Sequence, residues 1–120
     1  MVGSTGQVDL LGKLLDVGSL RQRVIAQNVA NVNTPGYHRQ EVNFEDEFSR
    51  VLARGNPASA INLTPKVAAA GGGPERADGN NVDIDAEIGR MTKNALLMNA
   101  YTQILASKIA AQRAAITGRS

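Results

Sequence analysis

The sequence predicts a mainly α-helical chain with long N- and C-terminal helices. A short middle helix and a flexible Gly/Pro-rich connector are expected between them. Two observations predict this fold: apolar residues recur at helical spacing near both ends of the chain, and glycine and proline concentrate in its centre. Aromatic residues make up only 3% of the 120 residues, so a compact globular core is not expected.

The N-terminal helix is expected within residues 1–34. Pro35 disfavours helical geometry at Thr34, and the pair Pro35-Gly36 suits the centre of a type II turn. The apolar residues at helical spacing are Leu10, Leu11, Leu14, Leu15, Val17, Leu20, Val24, Ile25, Val29 and Val32.

Residues 35–54 are expected to form that turn and a short amphipathic helix. The stretch from Tyr37 to Val42 has no clean periodicity and is predicted to be extended. Asn43 is the predicted N-cap of the short helix, and Phe44 and Phe48 fall on its apolar face.

Residues 55–81 contain few large apolar side chains and many glycines. Such a segment buries too little surface to offset the entropy of ordering its backbone. We therefore expect a flexible connector in the isolated chain.

The C-terminal helix, within residues 82–120, has the clearest signals. Asp83 is the predicted N-cap and Gly118 the residue that ends a helix from Ile84 to Thr117. That helix is about 50 Å long at ~1.5 Å per residue, too long to be buried by a chain of this size. A heptad-like apolar seam runs along it, with its main packing positions at Ile84, Ile88, Met91, Met98, Leu105, Ile109 and Ile116.

Composition excludes several classes of function. The chain has no cysteine and one histidine, His38. Its net charge of +2 is too small to indicate nucleic-acid binding. The carboxylates Asp83 and Asp85 lack a nucleophile or basic partner nearby in sequence, and capping explains them. We therefore expect no catalytic, cofactor-binding or metal site, no small-molecule substrate and no bound nucleic acid.

No apolar run reaches the roughly 18 residues of a membrane span, and no cleavable signal peptide is expected.

The most specific string is QNVANVNTPGY, residues 27–37. It places two carboxamides, Asn28 and Asn31, beside the apolar ridge of the helix, where each can donate and accept hydrogen bonds. The string resembles the Asn-Ile-Ala-Asn-x-x-Thr-Pro-Gly-Tyr signature of the axial proteins of the bacterial flagellum, the family of rod, hook and hook-associated subunits. The positions that match are Asn28, Ala30, Asn31, Thr34, Pro35, Gly36 and Tyr37.

Within that family, the short length and the string DGNNVDIDAE at residues 78–87 look most like the proximal rod subunits. The resemblance implies that the long N- and C-terminal helices pair as an antiparallel, coiled-coil-like unit. It also implies that many copies assemble helically into a hollow rod, which transmits torque and surrounds the export channel. The implied partners are other copies, other rod and basal-body subunits, and the flagellar type III export apparatus. The implied location is the periplasmic rod of the basal body, reached without a cleavable signal.

Phe44 and Phe48 also have the spacing of the Phe-x-x-x-hydrophobic element by which the export gate recognises early rod and hook substrates. Periodicity alone explains the same pair as the packed face of a helix, and the two roles can coexist at different times.

Two alternatives to the proximal rod subunit are another rod subunit of the same family and a helical nucleic-acid-binding module. The dispersed basic residues and the lack of interleaved aromatic residues argue against the latter.

Overall fold

The computed structural model describes residues 4–118 and extends 64 Å along its longest axis. Its elements, in chain order, are helix α1 (Ser4–Ala30), strand β1 (Gln40–Asn43), helices α2 (Glu45–Ala53) and α3 (Pro57–Ile61), strand β2 (Lys66–Ala69) and helix α4 (Ile84–Thr117). The two long terminal helices pack against each other. The predicted mainly α fold is therefore confirmed.

The two ends of α4 are set by local sequence signals. Asp83 Oδ1 accepts hydrogen bonds from the backbone N–H groups of Asp85 (3.1 Å) and Ala86 (3.3 Å). At the other end Gly118 takes the left-handed conformation, with φ of 72°, and its N–H donates to the carbonyl of Ala114. Both predicted ends are confirmed, because capping and a terminal glycine satisfy backbone groups that a helix leaves free.

The pairing of α1 with α4 is antiparallel. Asn28, near the end of α1, meets Glu87 near the beginning of α4, whereas Gly18, earlier in α1, meets Asn94, later in α4. Residue numbers therefore rise along one helix as they fall along the other, as the family resemblance implies.

α1 also carries a small apolar core, to which the middle elements contribute. The rings of Phe44 and Phe48 lie 5.0 Å apart at its centre, and the ammonium of Lys13 lies 5.9 Å from the centroid of the Phe44 ring. The buried members are Val17, Val24, Val42, Phe44, Phe48 and Ala60.

The turn after α1 agrees with its sequence. The N–H of Tyr37 donates to the carbonyl of Thr34 at 3.2 Å, and Gly36 has φ of +74°, which a type II turn requires at that position. The predicted extended segment follows as β1.

The predicted N-cap of α2 is wrong. Phe44 occupies the cap position and makes no side-chain hydrogen bond there, whereas Asn43 is the last residue of β1 and pairs with Lys66. The physical reason is tertiary: the ring of Phe44 is drawn into the apolar core, and this positions the chain as it enters the helix.

The connector contains two elements that its composition does not reveal. Asn56 caps α3 by accepting a hydrogen bond from the N–H of Ser59 at 3.2 Å. β2 pairs antiparallel with β1, so that Val67 lies opposite Val42. Strand pairing of this kind depends on a partner more than twenty residues away, which local composition does not report.

Candidate functional site

The two motifs noted in the sequence meet in space. The segment 28–40 lies at the end of α1 and the segment 76–90 at the beginning of α4, and together they form what we call the junction. Its backbone is held together by two hydrogen bonds, from Gly36 N–H to the Asp78 carbonyl (2.8 Å) and from Asn81 N–H to the Tyr37 carbonyl (3.3 Å). The junction thus joins the two long helices at one end of the molecule.

Asn28 is the centre of the junction, and its side chain has no solvent exposure. Its Nδ2 donates to the Gln40 carbonyl (2.8 Å) and to Glu87 Oε2 (3.2 Å). Its Oδ1 accepts from the Tyr37 hydroxyl and from the Gln40 N–H, both at 2.9 Å. An amide has two donors and two acceptor lone pairs, and here all four are used.

Glu87 is a fully buried carboxylate at the beginning of α4. Its Oε1 accepts from Arg39 Nε at 2.6 Å and from an Arg90 guanidinium nitrogen at 2.8 Å. Arg39 also reaches Glu41 at 3.3 Å. A buried charge is tolerated only when it is paired and hydrogen-bonded in this way. Glu87 lies in the first turn of α4, and nothing in the sequence indicates that it is buried.

Asn80 performs a similar role for the turn that follows α1. Its buried Nδ2 donates to the carbonyls of Asn31 (2.9 Å) and Thr34 (2.8 Å), and its Oδ1 accepts from the N–H of Val82 at 2.8 Å. Both carbonyls lie just beyond α1 and also accept backbone N–H groups of the turn. Asn80 therefore binds this turn to the second motif.

A second turn completes the junction. The N–H of Gly79 donates to the Arg76 carbonyl at 2.8 Å, and Gly79 has φ of +83°. A Cβ at Gly79 would lie 3.5 Å from the Cα of Gly36, an ordinary van der Waals distance, so the positive φ rather than the available space favours glycine at this position. The Arg76 guanidinium donates to the carbonyls of Val82, at 2.6 Å, and Val32.

Burial raises the pKa of Tyr37, and the negative charge of Glu87 raises that pKa further. The Tyr37 hydroxyl is the donor to Asn28 Oδ1, a role that only the neutral phenol can fill. The electrostatics of the junction therefore favour the protonation state that its hydrogen bonds require.

The remaining signature residues lie around this centre. Asn31 Nδ2 donates to the Gln27 carbonyl (2.8 Å), and Asn31 Oδ1 accepts from the Thr34 hydroxyl at 3.1 Å. Ala30 ends α1 and is exposed, as are Pro35 and Gly36 in the turn. Their positions suit a rigid corner between helix and strand.

Only part of the predicted apolar seam of α4 lies in its contact with α1, and the packing of the remaining seam positions stays a prediction. Met91, Met98 and Leu105 are half-buried, but Ile84, Ile88, Ile109 and Ile116 are exposed. The face that contacts α1 follows the same four-and-three spacing, rotated to include Glu87 and Asn94, because both side chains bond to α1. This inner face consists of Glu87, Met91, Asn94, Met98, Tyr101, Leu105, Lys108 and Gln112.

A groove of about 370 Å³ lies between α1, β1 and α4. Apolar side chains such as Leu97 and Tyr101 line it, and Arg21, which also lines it, pairs with Glu45.

Across residues 4–118, no cluster of three or more His, Asp or Glu side chains is positioned to hold a metal ion. Within the same residues, each buried polar side-chain atom has a hydrogen-bond partner. The junction is thus built to hold backbone segments in place.

Comparison with known proteins gives a consistent result. The family described as "Flagella basal body rod protein" matches residues 19–38, which cover the second half of α1 and the signature turn. The flagellar basal body rod protein FlgB of Borrelia hermsii is 38% identical, over 82% of this chain and 87% of that protein. The chain belongs to the FlgB family of flagellar basal body rod proteins. FlgB of Escherichia coli is 30% identical over 79% of this chain and 81% of the relative, and FlgB of Bacillus subtilis is 28% identical over 95% of both.

This rod protein is accordingly a structural subunit of the flagellar basal body, from a family of structural proteins. The family assignment favours the proximal rod interpretation over both alternatives, the second rod subunit and the nucleic-acid-binding module. Within residues 4–118, none of the helices combines the length and hydropathy needed to cross a membrane.

Proposed function

We propose that this subunit assembles into the rod through its paired terminal helices, with α4 as the main contact element. The observation that carries the proposal is the distribution of exposed apolar residues on α4. A soluble helix is normally apolar on one stripe, whereas a helix that is apolar on several sides is buried by several neighbours. The exposed large residues of α4 are Ile84, Ile88, Leu96, Leu97, Ile104, Ile109 and Ile116.

The neighbours are other copies of this chain and other rod subunits of the basal body. Contacts between different faces of successive subunits generate an open helical array, and a helix with several apolar faces supplies such contacts. In the assembled rod the helices transmit torque and surround the export channel, in the periplasmic part of the basal body.

The experiment that tests this proposal changes Ile109 to Asp. Ile109 is exposed in the single chain, so the isolated variant should keep its helical circular dichroism signal. The added charge should abolish rod assembly and swimming, because a buried unpaired carboxylate is strongly unfavourable. Gln103→Asp is the matched control: it introduces the same charge at an exposed and already polar position of α4. Normal swimming with Ile109→Asp would contradict the proposal.

Leu105→Asp addresses a different contact. Leu105 is half-buried on the inner face of α4, so this variant should lose stability as an isolated chain as well as the ability to assemble. The pair of variants therefore separates folding of the subunit from contacts between subunits.

We further propose that Phe44 and Phe48 are read by the export apparatus while the chain is unfolded, before secretion without a cleavable signal. In the folded chain both rings are buried in the apolar core. A receptor can therefore reach them only before folding, which reconciles recognition with packing.

The double variant Phe44→Ala/Phe48→Ala should lose both stability and secretion. Val24→Ala is the matched control, because Val24 belongs to the same buried cluster but lies outside the Phe-x-x-x-Phe element. We expect Val24→Ala to be secreted at the normal rate despite its lower stability. Equal secretion of the two variants would contradict a recognition role for the phenylalanines.

A further inference from the structure

Asn94 is a buried polar residue within the contact between the long helices. Its side chain is 4% exposed. Its Nδ2 lies 2.9 Å from the carbonyl oxygen of Gly18, 2.7 Å from Gln22 Oε1 and 3.7 Å from the sulfur of Met98. It lies about 10 Å along α4 from Glu87, at ~1.5 Å per residue, two helical turns beyond the buried carboxylate of the junction.

Two faces of α4 could pack on α1, and they share Met91, Met98 and Leu105. The alternative face, which the sequence favours, adds Ile88, Ala95, Thr102 and Ile109, whereas the observed face adds Glu87, Asn94, Tyr101 and Lys108. Because successive residues are about 100° apart around a helix, the two arrangements differ by a rotation of α4 of roughly 50°. Hydrophobic burial by itself favours the alternative face.

Gly18 shapes the same contact from α1. A Cβ at this position would lie 2.8 Å from the Cγ of Met98, so the absence of a side chain lets α4 approach closely. That approach brings the amide of Asn94 within hydrogen-bonding distance of the Gly18 carbonyl. The glycine and the asparagine therefore specify one arrangement together.

We propose that Asn94, together with Glu87 in the junction, sets the rotational phase of α4 on α1 and thereby keeps the apolar stripe of Ile88, Ala95 and Ile109 on the surface. A single buried polar residue can select one helix packing over others, at some cost in stability. Only the use of that stripe by a neighbouring subunit rests on the proposed function.

The test uses the full chain, which contains no cysteine. A single thiol introduced by Ala95→Cys reports on the stripe, because Ala95 is exposed in the observed phase. A second reporter, Lys108→Cys, lies on the inner face and is half-buried. The rate of thiol labelling is measured for each reporter alone and in combination with Asn94→Leu.

With Asn94→Leu we expect α4 to rotate so that the thiol at position 95 labels more slowly and the thiol at position 108 labels faster. If two thirds of the molecules occupy the rotated phase, labelling at position 95 falls by roughly threefold. Asn94→Gln keeps an amide donor and should label at the original rates. Gln103→Leu is the control, because it adds a leucine outside both candidate faces.

Unchanged labelling of Asn94→Leu relative to the Gln103→Leu control would overturn the proposal. Faster labelling at both positions with loss of helical signal would also overturn it, since Asn94 would then support stability without choosing the phase. The opposite changes at the two reporters distinguish rotation from loosening.

Swimming by cells that carry Asn94→Leu tests the link to assembly. Rotated labelling with loss of swimming supports both the phase role and the proposed function. Rotated labelling with normal swimming would leave the phase role standing and contradict the use of the stripe by a neighbouring subunit.

Discussion

Replacing Asn28 by Asp tests the central role of this residue with almost no change of shape. In the native junction, Nδ2 donates to the Gln40 carbonyl at 2.8 Å and to Glu87 Oε2 at 3.2 Å. An aspartate places an acceptor oxygen opposite both of these acceptors and a second negative charge beside a fully buried carboxylate. Loss of two hydrogen bonds and burial of a like charge together predict destabilisation by about 3–5 kcal/mol.

Urea unfolding followed by far-ultraviolet circular dichroism measures this change. For a small domain, with a slope of ~1–3 kcal/mol per molar urea, the midpoint should fall by more than about 1 M. Asn31→Asp is the control in the same signature. Asn31 is only half-buried and lies at the end of α1, so its change should cost about 1 kcal/mol or less.

The pH dependence provides an independent check. Burial and Glu87 should hold the pKa of the new carboxyl above the value of ~3.9 that an unfolded chain has. A carboxyl with a raised folded pKa destabilises the fold above that pKa and ceases to do so once it is protonated. The stability difference between Asn28→Asp and the native chain should therefore shrink as the pH falls from 7 towards 4. Equal destabilisation by the Asn28 and Asn31 variants would refute the assignment of Asn28 as the centre of the junction.

Further predictions concern alkaline stability, glycine positions and the second motif. Because the pKa of Tyr37 is raised in the folded chain, unfolding releases a proton near pH 10, and the free energy of unfolding should decline above that pH. The decline should be less steep in Tyr37→Phe, and a denaturation series from pH 8 to 11 measures it. A Cβ added at Gly12 would meet no other atom within 4 Å, so Gly12→Ala should raise the free energy of unfolding by about 0.5–1 kcal/mol. Gly18→Ala should instead lower the free energy of unfolding, because the added Cβ would clash with Met98. Equal melting temperatures for the Gly12→Ala and Gly18→Ala variants would contradict the close approach of α4 to Gly18. Asn80→Ala removes the side-chain donor to the carbonyls of Asn31 and Thr34 and the acceptor of the Val82 N–H, and it should cost about 2–3 kcal/mol in urea unfolding.

Local signals in the sequence predicted the elements whose determinants lie within a few residues. Asp83 and Gly118 predicted both ends of α4, and Pro35 with Gly36 predicted the turn after α1. These predictions succeeded because capping and turn geometry are satisfied by neighbouring backbone groups. The N-cap of α2 failed for the opposite reason, because packing of Phe44 in the core decides where that helix begins.

The candidate site was predictable as two separate strings but not as one structure. The signature at 27–37 and the string at 78–87 stood out by their residues, yet nothing in the sequence placed Glu87 beside Asn28. The buried state of Glu87 depends on Arg39, which lies 48 residues earlier in the chain. Such a pairing has no local signature.

The sequence by itself determined the two long helices and the family, because periodicity, capping residues and motif spacing are local properties; the antiparallel pairing of the helices followed from the family resemblance. Only the tertiary structure decided which face of α4 contacts α1. Apolar periodicity predicts the stripe with the most burial, whereas the observed face is selected by the hydrogen bonds of Glu87 and Asn94. A buried polar group must find its partner, and partners in this chain lie on elements distant in sequence, so the phase of the helix emerges only when the chain has folded.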